Sequence, residues 1–555
     1  MIIDYLDRSI PDDVQADLCI VGAGPAGIAI ARAFLGTATR VCLLEGGGLA
    51  GEDRSQSLYD GESVGDLPFD AGTSRMRVFG GSCTLWGGGC IPFADSDLEP
   101  RDWVPDSGWP LRYADLAPWY ERARDFCRID PVHRFGPGAF DGPPPRRPLD
   151  LDPEALANFV FARSPITFGE AYRDELHAAP NITVLLHANV MELEATHDAG
   201  QVTGARIGTL DGRRGRVFAR HYVLAAGGIE NARILLLSDS VAPHGLGNDR
   251  DLVGRYFMDH PSGTIGSIRA DQPDIVTRPY ERTIGKVRAP LAPEIGLSMS
   301  AQSRHRTLNG RVHPFPVEGQ VPRGIRALRD VRAALRPPTR NEAALLEARL
   351  SAALQNGPGG SVAVQQNLVI SAVRLGLHIG DVVRAVAQKV ADRPTVRSDR
   401  VELVGFFEQA PQRDSRVTLG DDRDPLGLRR VRVDWRLNDL DRHTWQTMTV
   451  LAGDRLAAAC NGRFDPAPWI AGEGPPGIHG TAHHMGTTRM ADDPSRGVVD
   501  PMGTVHGIAN LHVAGSSTFP TGGWAFPTFT LIALSLRLAE HLRVLLSACE
   551  RSGLA

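Results

Sequence analysis

Lysine is almost missing from this chain of 555 residues: Lys286 and Lys389 are the only two, and nearly all basic charge is arginine. Schiff-base chemistry therefore has just two candidate carriers. A basic excess is missing too. With 60 Lys+Arg against 65 Asp+Glu, the formal net charge is −5, without the basic footprint of a dedicated nucleic-acid binder. The seven cysteines (19, 42, 83, 90, 127, 460 and 549) form no C-x-x-C pair. Neither a disulfide framework nor a zinc ribbon is expected, and a reducing compartment fits. No run of about 18 apolar residues exists, and the best stretch, 368–383, carries Arg374, His378 and Asp381. The first 15 residues lack the basic, apolar and small-residue blocks of a secretory signal. A cytoplasmic enzyme with no integral membrane segment is the expectation.

What is present is ordinary globular composition, 42% apolar and 23% charged, which excludes a disordered or fibrous chain. Residues 17–30 read DLCIVGAGPAGIAI. A β-branched strand ends in a glycine turn and passes into an alanine-rich helix reaching about residue 35. A second strand follows at 40–48, completing a βαβ unit. Gly22-Ala23-Gly24-Pro25-Ala26-Gly27 is a G-x-G-x-x-G in the required strand–helix setting. Its glycines allow the tight turn, the approach of a pyrophosphate and close helix–strand packing. Glu45 stands 18 residues after Gly27, where a carboxylate accepts from a ribose 2′-OH and disfavours a 2′-phosphate. An adenine dinucleotide is the expected ligand. The fingerprint occurs once, and YVLAAGGIENARILLL (222–237) runs from a strand into small residues, Ala226 and Gly227, suited to the adenosine end. FAD is favoured over NAD.

Further along, 51–110 is loop-rich around FGGSCTLWGGG, and the Pro/Gly-dense 136–153 reads as an exposed connection. Residues 181–228 alternate apolar and polar with turn signals, a β-meander closed by a buried strand at 222–226. Residues 323–390 read as two or three helices, either a packed insertion or a lid or partner surface. Strand patterns return in VELVGFFEQAP, SRVTLG and RVRVDW, before an amphipathic helix at about 440–459. The last 75 residues hold a Gly- and His-rich loop, the strand LHVAGSS and a helix from about residue 530.

Four blocks in order carry a family resemblance: the fingerprint; RMRVFGGSCTLWGGG with SGWPLRYADLAPWYERA; YVLAAGGIENARILL; and the final block from HHMGTTRM to LAEHL. The chain resembles the glucose–methanol–choline (GMC) oxidoreductases over most of its length. The resemblance implies an α/β and α+β architecture: a discontinuous Rossmann-like FAD domain (1–100, 185–260, 478–555) and an interleaved substrate domain (101–184, 261–477) on an antiparallel sheet. It implies that Arg77, Gly80, Gly81 and Ser82 meet the pyrophosphate and flavin edge, and that Trp86, Gly87 and Gly88 flank the ring. Val190 would contact adenine, Gly515 and Ser516 the pyrophosphate or ribityl chain, and Pro527, Thr528 and Phe529 would open the last helix near the flavin. Where some members attach FAD through a histidine, this chain has Leu85, so FAD is expected to be non-covalent.

His483, three residues before Gly486, occupies the position of the family's catalytic base, suited to removing a hydroxyl proton as hydride leaves carbon. The implied activity is oxidation of an alcohol, sugar or glycoside-like hydroxyl, with oxygen or a quinone-like or protein acceptor. His479, His483 and His484 also resemble a metal-ligand spacing, but no further ligand is near in sequence and no metal is expected. Cys83 and Cys90 read as inert thiols or a redox pair. The pattern departs at Phe526, where the family usually has Asn or a second His, and Phe neither donates nor accepts. Either His484 or a substrate-domain residue then supplies the second contact, or the reaction is a lyase, isomerase or C–C/C–N tailoring step. Trp524 and Phe526 make an aromatic wall for a substrate ring, or pack the helix cap.

Overall fold

The computed structural model describes residues 1–551 except 68, 134, 136–146, 285, 286, 289, 320, 336–373, 391–397 and 474–476. Most of the expected connection at 136–153 and the middle of the 323–390 insertion lie outside the described residues.

A six-stranded parallel sheet runs in the order Ile2–Asp4, Ile182–Leu186, Val41–Leu44, Leu18–Val21, His221–Leu224, Leu511–Val513. The runs LCIV and VCLL are buried at every residue, as strands covered on both faces must be. Helix Pro25–Ala33 follows Leu18–Val21 and packs against the terminal helix Pro527–Arg551. That helix starts three residues before the expected 530, because proline suits a first helical turn.

An antiparallel sheet runs Arg463–Pro466, Ser262–Arg269, Ser398–Phe407, Gly310–Glu318, Leu291–Leu297, Leu156–Arg163, Gly89–Cys90, with Ile478–His479 pairing to Ser262–Arg269. Strand periodicity gives its faces different chemistry. Ile295, Leu297, Val312, Leu403 and Phe407 pack with Met448, Ala452 and Leu456 of helix Asp439–Ala459 into one apolar core. Asn438 caps that helix, its Oδ1 accepting from Leu440 N and Asp441 N while Asp441 Oδ2 accepts from Asn438 N. Cross-strand pairs Arg311–Phe406, Arg311–Gly296, Glu294–Phe159 and Ala292–Phe161 place those residues on the other face.

The expected meander divides between two sheets. Asn189–Ala195, Val202–Gly208 and Arg214–Phe218 form it, joined by Asp13–Gln15. Ile182–Leu186 and His221–Leu224 join the parallel sheet instead. Alternation explains the split: VTGARIG exposes two positions, whereas HYVL is buried at three of four. Strands Arg416–Arg423, Arg429–Trp435 and Gly61–Gly65 form, in that order, a small separate sheet. Of the 323–390 insertion, helices Arg323–Leu335 and Ile379–Val390 are described, and Gly324 N donates to Asp381 Oδ2 at 3.0 Å. No described helix is long and apolar enough to cross a membrane.

Candidate active site

The carboxyl ends of Leu18–Val21, Val41–Leu44, His221–Leu224 and Leu511–Val513 converge on one crevice, where open α/β sheets bind ligands. Gly22 has φ +105°, and a Cβ there would lie 2.6 Å from Ala225 O, so only glycine lets the two turns touch. Gly24 caps helix Pro25–Ala33 without a side-chain bond, leaving first-turn N–H groups to an anion. Around a Cβ at Gly24, Gly227 or Gly515 nothing lies within 4 Å, whereas buried Ala26 and Gly27 pack the helix. Glu45 is buried, accepting from Ala23 N at 3.2 Å and Gly47 N at 2.9 Å. Burial raises its pKa, while those N–H groups and Arg77 oppose the rise.

Several sequence-predicted residues gather here. Gly80 N donates to Ala23 O at 2.8 Å, and a Cβ on Gly81 would sit 2.9 Å from Gly24 Cα, so that loop lies on the fingerprint turn. Ser82 Oγ accepts from Met76 N at 3.1 Å. Arg77 lies against Gly46, beside Glu45: its guanidinium donates to Asn189 Oδ1 at 2.7 Å and stacks on Tyr59, and its buried Nε has no partner. Val190 is buried in Asn189–Ala195 opposite Ile207. Trp86, Gly87 and Gly88 reach the antiparallel sheet, with Trp86 Nε1 donating to Ile166 O and Ser164 N to Gly88 O. Pro527 begins the last helix, Thr528 Oγ1 is 4.0 Å from Cys83 Sγ, and Phe529 is fully buried, stacked on Tyr120. The open glycine turns, a helix N-terminus and a carboxylate fit the pyrophosphate and ribose of an adenine dinucleotide.

A buried network fixes these turns to the histidine loop. Asn231 accepts from Ala226 N at 2.8 Å and donates to Ala514 O and Ser517 Oγ. Thr488 Oγ1 donates to Ser517 Oγ, Thr487 Oγ1 to Gly228 O, and Ser516 Oγ to His484 O. Arg75, Glu230, Arg233 and Asp424 form a buried ion chain beside it.

The loop at 481–485 runs antiparallel to 258–260 through the Met258–Met485 bridge. Asp259, fully buried, accepts from the backbone N–H groups of His260, His483 and Ala482 and from Thr481 Oγ1. Ala482 takes φ +61°, a costly conformation for a residue with a Cβ. The two histidines after it diverge. His484 turns into the core between Phe69 and Phe257, its pKa pushed down to about 3 by burial and by Arg75. His483 is half-buried and meets His260 instead, Nδ1 to Nδ1 at 3.0 Å.

The tautomers follow from the partners. His260 Nε2 lies 2.9 Å from Gly523 O, which only accepts, so Nε2 carries the proton and Nδ1 is an acceptor. His483 Nδ1 must then donate to it, with Thr481 Oγ1 a second acceptor at 3.1 Å. That leaves His483 Nε2 with a bare lone pair. Burial pushes His260 down to about 4. His483 is also held well below 6.5, by burial first and then by His260, His484 and Arg311. Both rings are neutral at neutral pH.

Facing them is the aromatic side of the antiparallel sheet, with Arg311 set in it. Phe526 lies 5.8 Å from His483, 5.0 Å from Phe161 and 5.8 Å from Phe406, centroid to centroid. Trp524 meets Phe159 at 5.1 Å. Gly89 makes room for Phe526, since a Cβ there would be 2.6 Å from its ring. The Arg311 guanidinium stands 4.1 Å from Phe406, 4.8 Å from Phe526 and 5.7 Å from Trp524. His260, Asp259 and Arg311 were not read from the sequence. The Asp-His-Pro at 259–261 and the period-two Arg311, His313, Phe315 were the available signals.

Residues 411–535 match the family model described as GMC oxidoreductase. The chain is 25% identical to 6'''-hydroxyparomomycin C oxidase of Streptomyces lividus, over 97% of this chain and 94% of that protein. It is 24% identical to 2-methyl-1,2-propanediol dehydrogenase of Mycolicibacterium austroafricanum, covering 95% of each. Pyridoxine 4-oxidase from Mesorbium loti superposes with a TM-score of 0.55 at 17% identity, over 95% of this chain and 99% of that one. With its paired sheets and glycine crevice, the chain is similar to the GMC oxidoreductases, in sequence over 411–535 and in fold over most of its length.

Proposed function

We propose that the protein is an FAD-dependent enzyme that oxidises a hydroxyl group of a small organic substrate to a carbonyl, with His483 as the base. Bound FAD supplies the two-electron hydride acceptor. The observation that carries this reading is the tautomer chain from Gly523 O through His260 to His483, which leaves His483 Nε2 bare and neutral. Such a lone pair takes the O–H proton as the adjacent carbon gives up its hydride. His260 is a positioning residue, and Asp259 holds both backbones. Gly22 to Gly27, Glu45, Gly80, Gly81, Gly227 and Gly515 would hold the dinucleotide. The parallel sheet would form an FAD domain and the antiparallel sheet a substrate domain, near the boundaries expected from sequence. The six cysteines whose side chains are described are buried and free, which accords with a cytoplasmic, reducing setting. Oxygen or a quinone-like or protein acceptor would reoxidise the flavin.

Anaerobic stopped flow tests the reading. With a hydroxylated substrate that bleaches the parent flavin band, His483→Ala should slow bleaching by about 10²–10⁴, the usual worth of a general base. Bleaching at the parent rate refutes the assignment. If no hydroxylated compound bleaches the parent, the non-oxidative alternative stands.

A further inference from the structure

The antiparallel sheet carries a buried cluster with an uneven charge count. Glu294 is fully buried and bonded on three sides: Arg282 at 2.7 Å, Arg311 at 3.2 Å and His313 at 3.1 Å. Burial keeps His313 low, so it is neutral, whereas its hydrogen bond and the charges of Arg311 and Arg282 hold Glu294 ionised. Two guanidiniums then share one carboxylate, an excess of one positive charge. Burial lowers Arg311 only to about 10, so it stays cationic at neutral pH.

Arg311 is the member facing the histidines. It is 4% exposed, its Nε has no hydrogen-bond partner, and its one ion pair engages a single nitrogen. A guanidinium offers five donors in a planar fork, so most of this one is unused. Phe406, Phe526 and Trp524 surround it, and the first two also border His483. Rings give a cation a face but accept no in-plane hydrogen bond. A buried donor fork with excess charge, walled by aromatics, suits an anionic oxygen pair attached to an apolar or aromatic body.

Resting on the proposed hydroxyl oxidation, we propose that Arg311 is the anchor for a carboxylate on the substrate, so that the substrate class is a hydroxy acid with an apolar or aromatic body. The carboxylate pairs with the Arg311 fork, the body lies among Phe406, Phe526 and Trp524, and the hydroxyl is presented to His483. Arg311 replaces the polar contact that Phe526 lacks, and its charge disfavours amino-sugar or polyamine substrates.

Calorimetric titration of the holoenzyme with benzoate and its neutral isostere benzamide tests the anchor without turnover. Benzoate should bind at least tenfold more tightly than benzamide, Arg311→Met should abolish that preference, and Arg311→Lys should keep part of it. Equal binding of the two probes to the unmodified enzyme overturns the proposal, even if Arg311→Met fails to fold. An undiminished benzoate preference in folded Arg311→Met overturns it too. Benzoate binding in an enzyme whose flavin no hydroxy compound bleaches would instead count against the oxidation and leave the anchor standing.

Discussion

Replacing His260 by Phe tests the tautomer chain directly. The ring volume is kept, but the acceptor for His483 Nδ1–H at 3.0 Å and the donor to Gly523 O at 2.9 Å are both lost. A neutral hydrogen bond contributes about 0.5–1.5 kcal/mol net, so its loss changes the balance between the His483 tautomers by about 2- to 10-fold. Thr481 Oγ1 still accepts from Nδ1–H at 3.1 Å and sets a floor. Flavin reduction in His260→Phe should therefore slow by about 2- to 10-fold, far less than the 10²–10⁴ expected of His483→Ala. Because His260 acts through another residue, the limiting rate should fall while the substrate concentration at half-saturation stays put. Stability should drop by about 1–3 kcal/mol for the carbonyl left without its donor. Anaerobic stopped flow and urea unfolding read the two effects. A folded, flavin-loaded variant reducing at the parent rate refutes the chain, and a loss as deep as that of His483→Ala would make His260 the base.

Two further outcomes follow from single side chains. Leu85 offers no nucleophile, so acid precipitation should leave the yellow flavin in the supernatant, and a yellow pellet refutes the non-covalent assignment. Burial and the neighbouring His221 and His541 push His512 down to about 3, below its unfolded value, so the unfolded chain binds more protons in acid. The stability it contributes is complete above pH 6.5 and is lost as pH falls, by about 2 kcal/mol at pH 5. His512→Asn should lose correspondingly less between pH 7 and 5 in urea unfolding, and an unchanged pH dependence refutes this.

The parallel sheet was legible because local rules and the fold agree there. LCIV and VCLL can only be buried strands, and the glycine spacing between them demands a strand–turn–helix. His483 was legible through its neighbours in sequence. His260 was not, because it reaches the site across 223 residues, and its register is set by long-range contacts, the Met258–Met485 bridge and the Asp259 bonds to the histidine loop. Nor could spacing assign His484: adjacent residues in a loop diverge or converge according to one backbone torsion, here the positive φ at Ala482. The meander was legible in its middle three strands but not at its ends. Turn signals mark where strands end, not which sheet each one joins, and only the burial of HYVL on both faces removes it from the meander.

Phe526 is the residue whose meaning the fold changes most. Read alone, it removes a polar contact and puts the oxidation in question. In place, its ring covers Gly89, and the polar groups around it are His260, behind His483, and Arg311 across the sheet face. The arrangement couples binding to chemistry. Burial is the main cause that holds His483 below its ordinary pKa, and Arg311 adds to it after His260 and His484, so in the proposed reading the cation that attracts an anionic substrate also favours the deprotonated base before that substrate arrives. A bound carboxylate partly offsets the Arg311 charge, which raises the proton affinity of His483 when a hydroxyl proton is there to be taken. The base is then strengthened by the substrate it serves, whereas an Asn at position 526 would have held the oxygen without altering the charge felt by the imidazole.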